Sequence, residues 1–257
     1  MRTLAPLALL WDGVPGVREV LHVPVDGVVP PQNCWQKTVV IPLMESHMGL
    51  RPVSWPALAP SDLAVRTLAD KAAFFRHAQV LNLTSHVPAM FDSLDEAQFP
   101  CVLKRTDLNS GKGVEIVTSR QHAEELMTHA PFAGKSCILQ ALVRHTGEFV
   151  AHCVCKDGRI LWHCVYFYEP QENAPIQGPA VQGNRRRAVA QPGLLAVLES
   201  FLTPLAFSGP CNADYTLGPN GEIILFEINP RLGGSLMSQS NVADLRAALS
   251  CIIQHAA

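Results

Sequence analysis

A chain of 257 residues is long enough for one large domain or a few small lobes with real cores. Apolar residues make up 48%, which excludes disorder as the default state, while charged residues are only 16%, a low share. The formal net charge of -2 lacks the basic excess that bulk nucleic-acid binding requires, and no apolar run reaches membrane-spanning length.

Met1 to Leu10 holds one Arg and an apolar run that Trp11-Asp12-Gly13 ends early, so a first β-strand is expected rather than a secretory leader. Prolines 24, 30, 31, 42, 52, 56 and 60 then punctuate short apolar segments. They predict strands and loops, a reduced N-terminal lobe over 1–60. Ser61 or Asp62 caps a helical stretch to about His77, whose apolar face is Leu63, Leu68, Ala72 and Phe75. Val80 to Leu83 and His86 to Pro88 are expected to be extended, and Asp92 to Gln98 a short helix.

From Pro100 strands dominate. Cys101 to Lys104 and Val114 to Val117 flank a loop containing Asn109-Ser110-Gly111-Lys112-Gly113. Ser119 caps a helix from Arg120 to about His129, and Cys137 to Val143 is a further strand. Glu148 to Cys155 and Arg159 to Tyr166 form a hairpin across Lys156-Asp157-Gly158, where Asp-Gly is a strong turn signal. A polar loop is expected over 169–187 and a helix from Gly193 to Leu205. A second hairpin pairs Cys211–Leu217 with Glu222–Ile228, and a helix from about Ala243 to Gln254 follows. The sum is an α+β chain built on antiparallel hairpins. Eight cysteines, none in a Cys-x-x-Cys pair, sit mostly in apolar runs; they predict buried reduced thiols and a cytoplasmic protein. The ten histidines show no paired metal spacing, and His145, His152 and His163 read as ordinary strand or loop residues.

The second hairpin carries the chemistry. Residues two apart on a strand share a face, so Glu227 and Asn229 project together, and the fold-back lets Asp214 face the same space. Two carboxylates and an amide oxygen form a hard oxygen site suited to Mg2+ held jointly with phosphates and water. Taken alone, the pair fits a solvated hairpin edge better than a metal site. The string Phe226-Glu227-Ile228-Asn229-Pro230-Arg231 is more specific, with polar residues directly after an apolar strand. Arg231 can reach a phosphate or a carboxylate, and Gly233-Gly234-Ser235 offers backbone N–H groups to an anion.

This string resembles the metal-binding end of the ATP-grasp superfamily, with Asp214, Glu227 and Asn229 on its three metal positions. Arg231 falls on the arginine of the carboxylase-like and amino-acid-ligase branches. Upstream, Asp70-Lys71 resembles the family's lysine at the head of a helix. Lys104 resembles its strand-ending lysine, and Gly111-Lys112-Gly113 its mobile flap. Gln140, Ala141 and Leu142 resemble the hinge strand beneath adenine, though many relatives carry Glu where Gln140 stands. Glu148 resembles the glutamate near the ribose. One of Arg185, Arg186 and Arg187, with Arg185 or Arg187 favoured, is expected to bring a cation to the triphosphate or acyl phosphate.

The resemblance covers roughly residues 61–240 and implies two α+β lobes holding ATP between antiparallel sheets, with a shortened N-terminal lobe. The implied divisions are a linking helix at 61–84, a small lobe with the flexible loop at 85–143 and a large lobe with the metal site at 144–257. The implied reaction is ATP-dependent joining of a carboxylate, an amino acid or small peptide, to an amine through an acyl phosphate. Mg2+ is the expected ion, with Mn2+ as the alternative, and Arg231 and Lys104 would serve the chemistry. Two other readings stand beside it: modification of a peptide or carrier protein, and a degenerate ATP-binding scaffold subunit. The substrates are expected to be small molecules, with no nucleic acid and no membrane. A homodimer or a partner protein is expected to complete the substrate site.

Overall fold

The computed structural model describes residues 39, 41–42, 45–48, 56–108, 112–144, 147–169, 185–236 and 238–256. Most of the expected N-terminal lobe, including the strand proposed for Met1 to Leu10, lies outside the described residues, as do Gly111 and His145. A short helix, α1 (Glu45–Met48), is followed by α2 (Asp62–Ala69) and α3 (Lys71–Val80). The single helix expected to His77 is therefore two. Asp70 breaks it with extended backbone (φ -95, ψ 123), and its side chain caps α3 by accepting from Ala73 N at 2.8 Å. Ser61 caps α2 in the same manner, accepting from Ala64 N at 3.2 Å.

Two antiparallel sheets follow. The small sheet has the order β1-β4-β2-β3, made of β1 (Met90–Phe91), β2 (Cys101–Arg105), β3 (Val114–Val117) and β4 (Cys137–Ala141). Its outer face packs Cys101, Leu103, Val117 and Leu139 against Ala123 of α4 (Arg120–Met127) and against Phe132. The large sheet has the order β7-β6-β5-β8-β9. Its strands are β5 (Glu148–Lys156), β6 (Arg159–Tyr168), β7 (Arg185–Ala188), β8 (Gly209–Leu217) and β9 (Ile223–Asn229). One face of this sheet buries Ala151, Cys153, Cys211, Ala213 and Tyr215 against α2, α3 and α5 (Leu194–Leu202). The other buries Val150, Val154 and Tyr166 against Leu245, Leu249 and Ile252 of α6 (Val242–His255).

Both hairpins form as expected. The first turns at Asp157 (φ 50) and Gly158 (φ 81), the left-handed pair that an Asp-Gly turn demands. Four expectations fail. Val80 ends α3, and a 3-10 turn at Thr84–His86 stands where extended pieces were expected. Asp92 to Gln98 forms bends and turns without a helix. The end of the polar segment, Arg185 to Arg187, belongs to strand β7, because Arg185 to Ala188 pair with Tyr168 to Val165 of β6. The helix from Gly193 stops at Leu202 and tightens into a 3-10 turn over Thr203–Leu205, where Pro204 removes a backbone donor. Seven cysteines are described, all free, and five of them are buried.

Candidate active site

The acidic hairpin owes its geometry to one extra residue. Asp214 and Glu227 are Cα partners across β8 and β9, and Asn212 and Asn229 are likewise paired. The register shifts between Asp214 and Tyr215, because Tyr215 pairs with Leu225 and leaves Phe226 unmatched. Ile223, Leu225 and Ile228 all enter the same core. An unbroken strand would send Glu227 into that core beside Leu225. The bulge reverses the alternation and turns Glu227 and Asn229 to the face that carries Asp214.

Lys71 begins α3 with only 8% of its surface exposed. Its Nζ lies 3.3 Å from Glu227 Oε2 and also donates to the carbonyl of Leu108, just past β2. On β2, Cys101 and Leu103 face the outer core, so Val102 and Lys104 face inward. Lys104 Nζ sits 5.4 Å from the Phe226 ring centroid, so the small sheet meets the large sheet here. Burial lowers Lys104 to about 8, and Glu227, Glu148 and Asp214 offset only part of that shift. Burial, then the Glu227 and Glu148 carboxylates, push Asp214 well above the usual carboxylate range. Burial also opposes ionisation of Glu227, but Lys71, Asn229 and Lys104 outweigh it and hold Glu227 below its ordinary value. The site is thus an acidic pair short of positive charge at Asp214, facing two lysines.

Asn229 Nδ2 donates to Glu227 Oε1 at 2.9 Å and to Asn212 Oδ1 at 3.3 Å. With the amide nitrogen so engaged, Oδ1 is the atom left to face a cation. No cluster of three or more His, Cys, Asp or Glu side chains is arranged for a metal among the described residues. Two carboxylates and one amide oxygen make an incomplete hard set, which fits a cation whose other ligands are phosphate oxygens and water. Gln140 on β4 is a Cα partner of Val102, and its buried Oε1 has no hydrogen-bond partner among the described residues. A base or ribose donor in the cleft would satisfy it.

Several expected site residues lie elsewhere or are otherwise engaged. Ala141 N donates to the carbonyl of Ala89 at 2.8 Å, and Leu142 stands just beyond β4. Lys112 is exposed, and Gly113 (φ 63) accepts from Arg105 N at 2.8 Å where β2 turns toward β3. Glu148 opens β5 within electrostatic reach of Lys104 and Asp214. Arg185 lies on β7, and Arg187 pairs with Asp244 of α6 at 2.9 Å rather than with a carboxylate of the hairpin. Arg231 is 8% exposed and donates from Nε to Glu45 Oε1 of α1 at 2.8 Å.

Three residues join the site without a signal in the sequence reading. Glu45 engages Arg231 from 186 positions away. Asn212 and His152 lie under the loop that follows Arg231, Asn212 donating to the Arg231 carbonyl at 3.0 Å.

Two sheets face to face, with paired carboxylates at the end of the large sheet and lysines from a helix and from the small sheet, define the ATP-grasp fold. Solved structures of such enzymes share it. D-alanine–D-alanine ligase from Bacillus anthracis, solved with ATP, matches with a TM-score of 0.60 at 16% identity, covering 82% of this chain and 74% of that one. L-amino acid ligase from Bacillus licheniformis matches with a TM-score of 0.54 at 16% identity, over 75% of this chain and 49% of that one. N5-carboxyaminoimidazole synthase from Aspergillus clavatus, solved with ADP and its ribonucleotide, matches at 0.54 and 14% identity, over 76% and 54%. The chain therefore spans about half the length of the latter two. No protein-family model and no curated protein sequence matches it.

Proposed function

We propose that the chain is an ATP-dependent ligase that activates a substrate carboxylate as an acyl phosphate and passes the acyl group to an amine. The observation that carries this is the Asp214–Glu227 pair, turned out of the core by the bulge at Phe226 and faced by Lys71 and Lys104. Lys71 and Lys104 would bind the phosphates of ATP, and Gly111, Lys112 and Gly113 would close over them. Gln140, Ala141 and Leu142 would line the base, and Glu148 the ribose. Asp214, Glu227 and Asn229 would hold Mg2+, which would supply positive charge against the phosphates.

Arg231 would orient the substrate carboxylate. One carboxylate oxygen forms a bond to the γ-phosphorus while the bond to the β–γ bridging oxygen breaks, and ADP leaves. The lysine charges stabilise that leaving diphosphate. The amine nitrogen then bonds to the acyl carbon, phosphate departs with the C–O electron pair, and the nitrogen loses a proton to solvent. No protein nucleophile is needed. Arg185 is the closest fit to the further cation, because Arg187 is paired with Asp244.

A screen for ADP release over pairs of amino acids, with calorimetric binding of Mg·ADP, tests the proposal. Glu227→Gln is expected to weaken Mg·ADP binding by about tenfold or more and to abolish carboxylate-dependent ADP release. Normal Mg-dependent turnover in that variant would remove Glu227 from the metal site.

A further inference from the structure

Beside the Asp214–Glu227 pair runs a second polar row. His152 of β5 is the Cα partner of Asn212 on β8, and Asn212 is the partner of Asn229 on β9. All three are buried, His152 at 1% exposure. Polar side chains this deep in a sheet are kept where hydrogen bonds offset their burial. Those bonds converge on one segment, the loop from Arg231 to Ser235. Asn212 Oδ1 accepts from Asn229, and its Nδ2 donates to the Arg231 carbonyl at 3.0 Å. His152 Nε2 shares a hydrogen bond with Ser235 Oγ at 2.8 Å. The His152 ring stands edge-on to Tyr166 at 5.7 Å, and Tyr166 OH donates to Asp244 of α6 at 2.6 Å.

The middle of the loop is fitted to the same two residues. A Cβ at Gly233 would lie 2.3 Å from His152 Cε1, 2.8 Å from His152 Nδ1 and 3.0 Å from Asn212 Cγ. His152 and Asn212 thus fill the space that any side chain at 233 would need, and they tie the loop at both ends.

We propose that His152 and Asn212 are positioning residues for the substrate carboxylate, acting through the loop Arg231–Ser235. The inference rests on the ligase reading, in which Arg231 faces that carboxylate. A misplacement of about 1 Å at a group that orients a reactant costs on the order of a hundredfold in rate. A guanidinium at the end of a strand needs support from packed, hydrogen-bonded neighbours to avoid it. The row fixes the loop through hydrogen bonds and packing at the Arg231 carbonyl, Gly233 and Ser235.

The test uses the full chain and a double-mutant cycle on His152 and Gly233, with the carboxylate that gives most ADP release from the wild type. His152→Ala is expected to raise KM for the carboxylate about tenfold or more, with Mg·ADP affinity within about twofold of wild type. Gly233→Ala should do at least as much damage, and the double variant should fall short of the sum of the two, because the ring that the new methyl strikes is gone while Asn212 remains. Hydrogen exchange with Mg·ADP bound should quicken at residues 232–236 in His152→Ala and stay unchanged along β8. If His152→Ala does not fold, Ser235→Ala removes the same hydrogen bond from the loop side and should give the same KM shift. An unchanged KM in an active variant, or unchanged exchange in the loop, overturns the proposal alone. A wild type that binds Mg·ADP yet releases ADP with no carboxylate overturns the ligase reading and the proposal with it.

Discussion

Lys104 is the residue whose charge is most finely set. Its ordinary value of 10.5 falls to about 8 because burial disfavours the ammonium, and the nearby carboxylates recover only part of the loss. Between about 8 and 10.5 the unfolded chain carries a proton on this lysine that the folded chain has released. Stability therefore gains from Lys104 as pH rises through that window. Under the proposed function nucleotide binding would run the other way. The phosphates would need the ammonium, so Mg·ADP affinity should fall as pH rises through about 8. Calorimetry at pH 8.5 in buffers of different ionisation heat should show proton uptake on binding, and Lys104→Met should show none from this group. The strand position of Lys104 is legible in the sequence, because it ends the apolar run Cys101 to Leu103. His152 is not. A lone histidine inside Val150 to Val154 looks like any core residue, and its partner Ser235 is 83 positions away. Glu45 is hidden for the same reason, since nothing local ties it to Arg231.

At the scale of elements, hairpins are legible wherever turn chemistry and alternation agree, as at Asp157-Gly158 and across Gly218 to Gly221. Breaks inside continuous patterns are not. Leu68, Ala72 and Phe75 keep a helical period straight through Asp70, so only the capping chemistry of an Asp marks the division. Ile223-Ile224-Leu225-Phe226 is an apolar run with no glycine to announce a bulge, although the change from Leu225 to Ile228 in the core records it. Strand β7 exists through pairing with β6, which three consecutive arginines do not suggest. Asp70 has a testable role because it ends α2 and places Lys71 at the head of α3. Asp70→Ala should cost about 1 kcal/mol in denaturant unfolding and weaken Mg·ADP binding, whereas Asp70→Ser should preserve both.

At the scale of the molecule, Lys71 joins the two sheets. It donates to the Leu108 carbonyl just past β2 of the small sheet and pairs with Glu227 on the large sheet. The residue pattern by itself shows Lys71 as a helix lysine, and only the family resemblance singles it out, because both partners are distant in the chain. In the nucleotide-free protein, burial disfavours the Glu227 carboxylate, and Lys71 is the largest of the groups that hold it below its ordinary value of 4.5. A carboxylate depressed in the folded state adds stability above its unfolded value, and that stability is lost as pH falls through the folded value. Lys71→Met removes the counter-charge and leaves Glu227 buried beside Asp214. The loss at pH 7 should be about 2–3 kcal/mol, below the range for a fully buried pair because Glu227 keeps 19% of its side chain exposed. Acid should narrow the gap, since protonating Glu227 removes what Lys71 compensates. Urea unfolding of both proteins at pH 7 and near pH 4 measures this, and a gap that stays constant would mean that Lys71 acts through the Leu108 contact rather than through Glu227.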